Sequence, residues 1–214
     1  DIEHLLERKP IVLDNKSITK QLKDKTVLIT GAAGSIGSEI VRQVLSFHPK
    51  QIIILDQAET PLHHLCLETE AVVSNTKIRT VIGDIRNKGA LEHLFSLYIP
   101  QVVFHAAAYK HVPLMEENPS QAILTNIQGT KNLADLSCKY NVKKFVMVST
   151  DKAVNPSNVM GASKRIAEKY VQSLHLRSQR ENHATATKFI TTRFGNVLGS
   201  NGSVVPLFTK QIAE

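Results

Sequence analysis

The chain has 214 residues, enough for one hydrophobic core or for one domain and part of a second. A hydrophobic fraction of 42% with 21% charged residues is typical of a soluble globular protein and excludes a disordered or fibrous one. The net charge of +7 comes from lysines and arginines spread along the chain, without a basic run interleaved with aromatics, so we expect no nucleic-acid partner.

No apolar run approaches the roughly 18 residues of a membrane helix, so we expect neither a membrane span nor a signal peptide in this chain. Cys66 and Cys138 lie apart in helix-like segments, which predicts two buried thiols in a reducing compartment. No cluster of His, Cys and carboxylate residues has metal spacing, so no metal is expected.

Residues 1–24 are polar and poorly periodic, and we interpret them as an appendage with a short helix in IEHLLER and a short strand in PIVLD. From Lys25 onward, apolar segments with the character of buried strands recur: KTVLIT, QIIILD, KIRTVIGD, PQVVFHAA, KKFVMVS and KFITTRFGNVLG. Helical periodicity marks the intervening segments: SIGSEIVRQVLSF, TPLHHLCLETEAVVS, KGALEHLFSLY, SQAILTNIQGTKNLADLSCKY and residues 160–180. This α/β alternation predicts a doubly wound parallel sheet with helices on both faces, a Rossmann-like fold.

The segment TGAAGSIGSE joins the first strand to the first helix of this series and contains Gly31, Gly34 and Gly37. Gly31 permits a tight turn, Gly34 lets the backbone approach a pyrophosphate, and Gly37 lets the helix pack against the strand. A plain strand–helix turn is the alternative, but the flanking elements and an acid after the next strand favour dinucleotide binding. The other residues predicted to bind cofactor in this loop are Ala33, Ser35 and Ile36.

Asp56 closes the second strand, where a carboxylate can accept hydrogen bonds from an adenosine ribose and would repel a 2′-phosphate. Gln57 follows it, with no arginine beside it, so the sequence favours NAD over NADP. The alternative is that Asp56 only caps the next turn.

Two further strand ends contribute to the predicted cofactor site. Asp84 and Ile85 end the third strand, where Asp84 either faces an adenine amino group or serves as a turn residue. Ala106, Ala107 and Ala108 end the fourth strand, and their small side chains leave room for a flat cofactor, although tight helix packing would use the same residues.

The glycine loop resembles that of the extended short-chain dehydrogenase/reductases, and so do four further segments: HAAAYKHVPLMEENP, TNIQGT, STDKAVNPSNVMGASKR and TRFGNVLGSNGSVVPLF. The resemblance covers nearly everything from Lys25 onward and is strongest to nucleotide-sugar 4,6-dehydratases of bacterial polysaccharide biosynthesis. Many such sugar enzymes place a tyrosine four residues before the position of Lys164, where this chain has Met160. The methionine and the leader DIEHLLERKPIVLD are similar to those of the long, membrane-anchored UDP-N-acetylglucosamine 4,6-dehydratases. That subgroup implies a cytoplasmic domain at the inner face of the membrane.

The resemblance implies that a hydride leaves C4 of the sugar for NAD, water is eliminated across C5–C6, and the hydride returns to C6. On the family pattern, Asp151 is the acid for the leaving water, Lys152 is the base at C5, and Thr150 hydrogen-bonds the C4 oxygen. Lys164 would bind the nicotinamide ribose and keep the site positive.

The neighbouring charges of Asp151 and Lys152 lead us to expect pKa values shifted towards working pH, although a surface ion pair that caps a turn is the alternative. A thioether cannot move a proton. We therefore take as a hypothesis that Asp151, or a water held by Thr150 and Asp151, receives the C4 proton in place of a residue at Met160.

Further candidates lie outside this motif. Lys110 and His111 follow the fourth strand and are candidates for sugar or diphosphate contacts, with a structural histidine as the alternative for His111. Asn126, on the long helix, either bonds backbone and holds a water at the cofactor site or bridges two helices. Arg193 and Asn196 follow the sixth strand as substrate-binding candidates, Asn196 for the UDP phosphates or as a plain turn residue.

These motifs predict an NAD-binding domain with the catalytic loop over residues 25–200 and, at residues 201–214, the start of a substrate-binding lobe that this chain largely lacks. A nucleotide-sugar 4-epimerase or reductase and a non-catalytic NAD-binding module are the rival interpretations. The adjacent Asp151 and Lys152 favour elimination over epimerisation, and their presence together with Lys164 argues against a non-catalytic module. We also expect a homo-oligomer, because paired helices around such a sheet often form dimers.

Overall fold

A computed structural model of the chain describes residues 14–70, 75–180, 187–195 and 197. Within these residues, the strands form a single parallel sheet in the order β3-β2-β1-β4-β5-β6, which confirms the predicted doubly wound fold. The strand bounds are β1 Thr26–Thr30, β2 Gln51–Asp56, β3 Lys77–Ile82, β4 Val102–His105, β5 Lys144–Thr150 and β6 Lys188–Phe194.

Helices pack on both faces of this sheet, and a short 3₁₀ turn, Asp151–Ala153, follows β5. The helix bounds are α1 Asn15–Leu22, α2 Ser35–Leu45, α3 Glu59–Glu70, α4 Lys88–Tyr98, α5 Val112–Glu117, α6 Pro119–Ala122, α7 Thr130–Lys139 and α8 Val159–Arg180. None of the helices in the described residues has both the length and the apolar content needed to span a bilayer.

The core forms two layers because successive side chains of a strand point to opposite faces of the sheet. Leu28 and Ile53 are fully buried in the layer beneath α4, α7 and α8, with Phe95 and Phe145. The neighbouring strand positions fall in the other layer, which is covered by α1, α2 and α3: Val27, Ile29, Ile52 and Ile54. The alternation therefore anchors β1 and β2 as central, completely buried strands.

The parallel register aligns the carboxyl ends of the central strands. Thr30 pairs with Leu55 of β2 on one side and with His105 of β4 on the other. The chain order reverses between β1 and β4, and open α/β sheets bind ligands in the crevice at such a point. The fold therefore predicts a site above Thr30.

The sequence analysis predicted that all strands are buried on both faces, but the two edge strands of the sheet are not. β3 and β6 are the edge strands, and most of their residues are exposed or half-buried. An edge strand has a neighbour on one side alone, so less of its surface is covered. The apolar residues of KIRTVI and KFITTRF therefore do not indicate full burial.

The described part of the predicted appendage, residues 14–24, is more regular than predicted, because it contains α1. The carboxylate of Asp14 accepts a hydrogen bond from Ser17 N–H at 3.2 Å and so caps the first turn. Leu22 buries itself against the layer beneath α1 to α3. The helix predicted in IEHLLER and most of the strand predicted in PIVLD lie outside the described residues, as do residues 198–214.

The long helix predicted from Ser120 to Tyr140 is interrupted. A π-helical segment, Ile123–Gly129, separates α6 from α7, and each π turn holds one residue more than an α turn. The helical pattern of apolar residues does not reveal such an insertion. The segment before this region contains α5, Val112–Glu117, which the sequence analysis left without an element.

The predicted burial of the two thiols is wrong. Cys138 is exposed near the end of α7, and Cys66 is half-buried on α3. Both residues lie in helices as expected, but on the outer part of the helix surface, where periodicity alone left their orientation open.

Replacing Gly37 by alanine tests the packing of α2 against the loop that precedes it. A Cβ on Gly37 would lie 1.9 Å from the carbonyl oxygen of Gly31, so backbone would have to move. We expect the Gly37→Ala variant to lose about 3 kcal/mol of unfolding free energy, measured by denaturant titration. The matched control is Gly89→Ala in α4, whose added Cβ would meet only Asn87 Oδ1 at 3.7 Å and which we expect to gain up to about 1 kcal/mol. Equal stabilities of the two variants would contradict this packing.

Candidate functional site

A cleft of about 250 Å³ lies where the ends of β1, β2 and β4 meet. Its walls come from the loop after β1, the ends of the neighbouring strands, and the π segment. The lining residues are Gly31, Ala33, Gly34, Leu55, Asp56, Gln57, Ala58, Pro61, Gly83, Asp84, Ile85, Ala106, Ala107, Ala108, Tyr109 and Thr125. The structure thus brings together ten of the residues predicted to bind cofactor.

The glycine loop forms a cradle that side chains would fill. Gly31 has a φ of +66°, and a Cβ there would lie 2.4 Å from Ala107 N. Gly34 is the N-cap of α2 and makes no side-chain cap hydrogen bond, and it lines the cleft together with Gly31 and Ala33, so the helix start borders the cleft. These observations fit a pyrophosphate, which needs close backbone approach and N–H donors.

Ser35 and Ile36 occupy the first turn of α2, beside this cradle, and both are half-buried. Gly37 is buried against the loop. The three residues therefore shape the helix start at which an anion would be held, while they do not line the cleft itself.

Asp56 has a structural role that the sequence analysis offered only as an alternative. Its Oδ2 accepts a hydrogen bond from Ala33 N–H at 3.0 Å, and its Oδ1 accepts one from Ala58 N–H at 2.9 Å. The carboxylate therefore holds the glycine loop and caps the following turn while it remains in the cleft wall. Gln57 is exposed and donates to the Tyr109 hydroxyl at 3.4 Å across the cleft.

Asp84 is paired with Arg86, a residue that the sequence analysis did not single out. Arg86 Nε donates to Asp84 Oδ2 at 2.7 Å, and the Arg86 backbone N–H donates to Oδ1 at 2.9 Å. The hydrogen bond from the guanidinium holds the pKa of Asp84 below its usual value. Both carboxylate oxygens are thus engaged, and the predicted contact with an adenine amino group stays a prediction.

Thr125 projects from the π segment into the cleft wall. Its hydroxyl is buried and makes no hydrogen bond within the described part of the chain. A buried polar atom without a partner is costly unless a ligand or water satisfies it. This hydroxyl is therefore a second observation that fits a polar ligand in the cleft.

The Thr150, Asp151 and Lys152 side chains meet at the end of β5. Thr150 Oγ1 donates to Asp151 Oδ1 at 2.9 Å, and Lys152 Nζ donates to the same oxygen at 3.2 Å. The Asp151 side chain is 57% exposed. A hydroxyl, a carboxylate and an ammonium thus lie within one hydrogen-bonded group.

The expected pKa shift of Asp151 has the opposite sign. The hydrogen bond from Thr150 and then that from Lys152 hold the pKa of Asp151 below its usual value, away from neutrality. Because this carboxyl is exposed, burial does little to favour its neutral form, and the sequence could not show that exposure. In the free chain Asp151 is therefore a carboxylate.

Lys164 is buried behind this group, at 5% exposure. Its ammonium donates to the carbonyl oxygen of Val148 in β5 at 2.7 Å. Burial lowers the pKa of Lys164 to about 8, and the negative charge of Glu168 one turn later partly opposes this shift. Lys164 therefore lies under the carboxyl end of β5 with a proton that is held less tightly than usual.

Met160 belongs to a small apolar cluster rather than to an open pocket. It is 4% exposed and packs with Met115 of α5 and Ala122 of α6. Tyr109 and Val112 border the same cluster. The position that holds a tyrosine in many similar sugar enzymes is here filled by packing between helices.

Asn126 is fully buried in the π segment, and its amide bonds the backbone of the cleft wall. Asn126 Oδ1 accepts from Tyr109 N–H at 2.9 Å, and its Nδ2 donates to Tyr109 O and to Ser163 Oγ, each at 3.0 Å. It therefore bonds backbone and bridges to α8, while direct contact with cofactor stays a prediction. Lys110 and His111 follow Tyr109 at the surface, both exposed.

Arg193 is held by Glu168. Its Nε and Nη2 donate to the two carboxylate oxygens of Glu168 at 2.9 and 2.7 Å, and Arg165 lies 3.3 Å from the same carboxylate. Burial tends to raise the pKa of Glu168, but the hydrogen bonds from Arg193 outweigh burial and lower the pKa. Contact of Arg193 with substrate stays a prediction, and Asn196 lies outside the described residues.

Sequence reasoning did not single out five residues of the site or of its surroundings. They are Tyr109, Thr125, Arg86, His105 and Glu168. Arg86, two residues after Asp84, and Glu168, four after Lys164, were visible as charge spacings. Tyr109 and Thr125 carried no such signal, because the π segment that sets their neighbours was not foreseen.

Comparison with protein families and solved structures places the chain among known proteins. The model of the polysaccharide biosynthesis protein family matches residues 27–214. The capsular polysaccharide biosynthesis protein CapD of Staphylococcus aureus is 50% identical over 99% of this chain and 35% of its own length. A UDP-N-acetylglucosamine 4,6-dehydratase (inverting) of Campylobacter jejuni is 39% identical over 89% of this chain and 54% of its own length. A UDP-glucose 4-epimerase of Rickettsia canadensis is 38% identical over the same shares.

Two solved structures show the same fold. Pen from Bacillus thuringiensis superposes with a TM-score of 0.81 at 40% identity, over 90% of this chain and 58% of its own. The DesIV dTDP-glucose 4,6-dehydratase of Streptomyces venezuelae, with NAD bound, gives 0.71 at 26% identity, over 87% of this chain and 62% of its own. The chain thus spans between about a third and three fifths of the proteins compared. Since the family match extends over most of its length, this chain belongs to the polysaccharide biosynthesis protein family, whose relatives include nucleotide-sugar dehydratases and epimerases.

Proposed function

We propose that the chain provides the cofactor domain and the acid–base residues of an NAD-dependent UDP-N-acetylglucosamine 4,6-dehydratase in polysaccharide biosynthesis. The observation that carries the proposal is the hydrogen-bonded group of Thr150, Asp151 and Lys152, at the same sheet edge as the glycine cradle and above buried Lys164. An elimination needs an acid and a base at neighbouring carbons, and this group offers both. The 39% identical dehydratase of Campylobacter jejuni supports the same substrate.

NAD, when bound, supplies a hydride acceptor for C4 and a hydride donor for C6. Gly31 and Gly34 would hold its pyrophosphate, and Asp56 would bond its adenosine ribose while it keeps Ala33 in place. The buried Thr125 hydroxyl would form a hydrogen bond with the bound cofactor. NAD rather than NADP agrees with the carboxylate at Asp56 and with the NAD-bound dehydratase structure.

Asp151 and Lys152 would carry the protons of the elimination, Asp151 as the acid after it gains a proton and Lys152 as the base after its ammonium releases one. In the free chain Asp151 is ionised, so it must gain a proton before it can act as the acid for the C6 hydroxyl. A sugar that covers this exposed carboxyl removes water from it, and desolvation raises the pKa of a carboxyl. We therefore infer that substrate binding itself converts Asp151 into an acid.

The C4 hydroxyl would lose its proton through Thr150. Met160 is packed among apolar side chains, and a thioether has no proton to exchange. Thr150 Oγ1 already donates to Asp151 Oδ1, so its lone pairs can accept a proton from a sugar hydroxyl while its own proton moves to Asp151. One such relay would both deprotonate C4–OH and load Asp151 for the later loss of water.

A 4-epimerase is the second candidate, since a relative at 38% identity carries that name. Epimerisation needs no acid for a leaving hydroxyl, so the Asp151–Lys152 pair favours dehydration. A location at the inner membrane face and a homo-oligomeric state stay predictions from the resemblance.

The dehydration is tested by incubating the intact protein that carries this chain with UDP-N-acetylglucosamine and NAD. We expect mass spectrometry to show loss of one water from the sugar nucleotide. Substrate that returns unchanged, or an isomer of equal mass, would refute the proposal, and the isomer would support the epimerase.

Replacing Asp151 by asparagine tests its role as the acid. The amide keeps the size of the side chain but cannot deliver the proton, so we expect kcat to fall by about 100-fold or more. Glu92→Gln is the matched control, because Glu92 forms an exposed ion pair with Lys139 on α4 and α7, remote from the cleft. Equal rates for the two variants would show that Asp151 does not transfer a proton.

The rate should fall as pH rises through about 8, where Lys164 loses its proton. Its positive charge favours ionisation of the C4 hydroxyl, so the neutral form should be inactive. The unfolded chain keeps this proton up to a pKa of 10.5, so the contribution of Lys164 to stability rises between pH 8 and 10.5. Loss of rate in this window is therefore not loss of the fold, which circular dichroism checks. A rate that stays constant up to pH 10 would contradict the role of Lys164.

Met160→Tyr asks whether the missing phenol matters, with Met160→Leu as the volume-conserving control. We expect the leucine variant to keep its kcat within about twofold, since it preserves the apolar cluster. The tyrosine variant should alter kcat and shift the pH–rate profile, because a phenol with a pKa near 10 joins the site. An unchanged rate and an unmoved profile would mean that this position has no mechanistic weight.

A further inference from the structure

A line of buried polar side chains runs through the interior beneath the cleft. His105, at the end of β4, lies between the Thr30 and Thr130 hydroxyls, with Nδ1 and Nε2 each 2.8 Å from a hydroxyl oxygen. Thr130 Oγ1 donates to the carbonyl oxygen of Asn126 at 2.7 Å, and the Asn126 amide donates to Ser163 Oγ. We call these five residues, Thr30, His105, Thr130, Asn126 and Ser163, the histidine network.

The proton positions in this network follow from the number of donors. A hydroxyl has one proton, and that of Thr130 goes to the Asn126 carbonyl. Thr130 therefore accepts from His105, which fixes the proton of the ring on Nε2. The opposite nitrogen, Nδ1, then accepts from the Thr30 hydroxyl, so each of these bonds has one donor and one acceptor.

Burial keeps this histidine neutral. Thr30, His105, Thr130 and Asn126 are all 0% exposed. Desolvation, followed by the nearby charge of Lys164, lowers the pKa of His105 to about 3. A neutral ring retains both a donor and an acceptor nitrogen, which the two hydroxyls require.

Both ends of the network touch residues of the proposed site. Thr30 directly precedes Gly31 of the cradle, and Ser163 directly precedes Lys164. In between, the Asn126 amide holds both backbone groups of Tyr109 in the cleft wall. The network thus links the phosphate loop, the cleft wall and the first turns of α8 through hydrogen bonds made mostly by buried side chains.

The π segment is what permits this link. Asn126 lies in the middle of Ile123–Gly129, and the wider turn presents its amide to Tyr109 while its carbonyl meets Thr130. π turns within helices often occur where function requires an unusual orientation of a side chain. Core packing alone would be satisfied by apolar residues at these positions, at a lower desolvation cost.

We propose that His105 is a positioning residue that, through Thr130 and Asn126, holds the phosphate loop, the Tyr109 wall and the Ser163–Lys164 turn in one fixed arrangement. The inference rests on the proposed function, since it concerns the alignment of cofactor and Lys164 for that reaction. His105 does not touch the reacting atoms. Its effect on the reaction passes through the residues it orients.

Thr130 offers a clean way to cut the network without removing the ring. Thr130→Val keeps the shape of the side chain but leaves His105 Nε2–H without an acceptor, whereas Thr130→Ser retains the hydroxyl. The matched control is Ser137→Ala on the same helix, α7. Ser137 is likewise 0% exposed and donates to the carbonyl four residues earlier, Leu133 O, at 2.7 Å.

The variants are made in the intact protein, and three quantities are measured: the unfolding midpoint, the dissociation constant for NAD, and kcat with KM for UDP-N-acetylglucosamine. We expect Thr130→Val to weaken NAD binding and to lower kcat by about tenfold or more, because small displacements of aligned groups are costly. KM should change little. Thr130→Ser should restore both values, and Ser137→Ala should lower the unfolding midpoint alone.

If Thr130→Val and Ser137→Ala both lower the unfolding midpoint and leave NAD binding and kcat unaltered, the network is structural and the proposal is wrong. The proposed function can fail separately. Should the unaltered protein bind NAD yet remove no water from the sugar, the dehydration is refuted, while the NAD dissociation constants of the same variants still decide the role of His105.

Discussion

The candidate site depends on how closely the loop after β1 approaches the end of β4. At Gly31 the two backbones are so near that a Cβ would lie 2.4 Å from Ala107 N. Because the contact is between backbone atoms of residues that directly follow the central strands β1 and β4, it cannot relax without a shift of those strand ends. The approach sets the floor of the cleft, and it seals Thr30 and His105 beneath that floor, away from water.

The charges of the site are divided by depth, and this division governs the chemistry open to it. Lys164 is buried and holds its proton weakly, whereas Asp151 at the rim is exposed and stays ionised. Glu168, the carboxylate one turn after Lys164, is engaged by Arg193 and does not bond the ammonium. A bound sugar would change the rim far more than the interior, since only the rim loses water. On the proposed reaction, the acid function would thus belong to the complex, whereas the positive charge of Lys164 is already present in the protein alone.

The fold was predictable because the central strands have apolar interiors and most of the long helices have one apolar stripe, so local pattern and tertiary structure agree. The glycine loop and Asp56 were predictable because their positions at strand ends follow from chain order. The hydrogen bonds of His105 could not be predicted, because its partner Thr30 lies 75 residues earlier and its partner Thr130 lies 25 residues later in the chain. The sign of the Asp151 pKa shift could not be predicted either, since it depends on the exposure of the side chain, which no sequence pattern reports.

Asp56 illustrates how one carboxylate comes to serve two purposes. Its oxygens bond Ala33 N–H and Ala58 N–H, so the group that would discriminate between cofactors also braces the loop that would hold their phosphates. Replacing Asp56 to make the protein accept NADP would also remove the hydrogen bond from Ala33 N–H, and the glycine loop would be held less rigidly. Cofactor preference and loop rigidity are therefore inherited together here, and neither can evolve without compensation for the other.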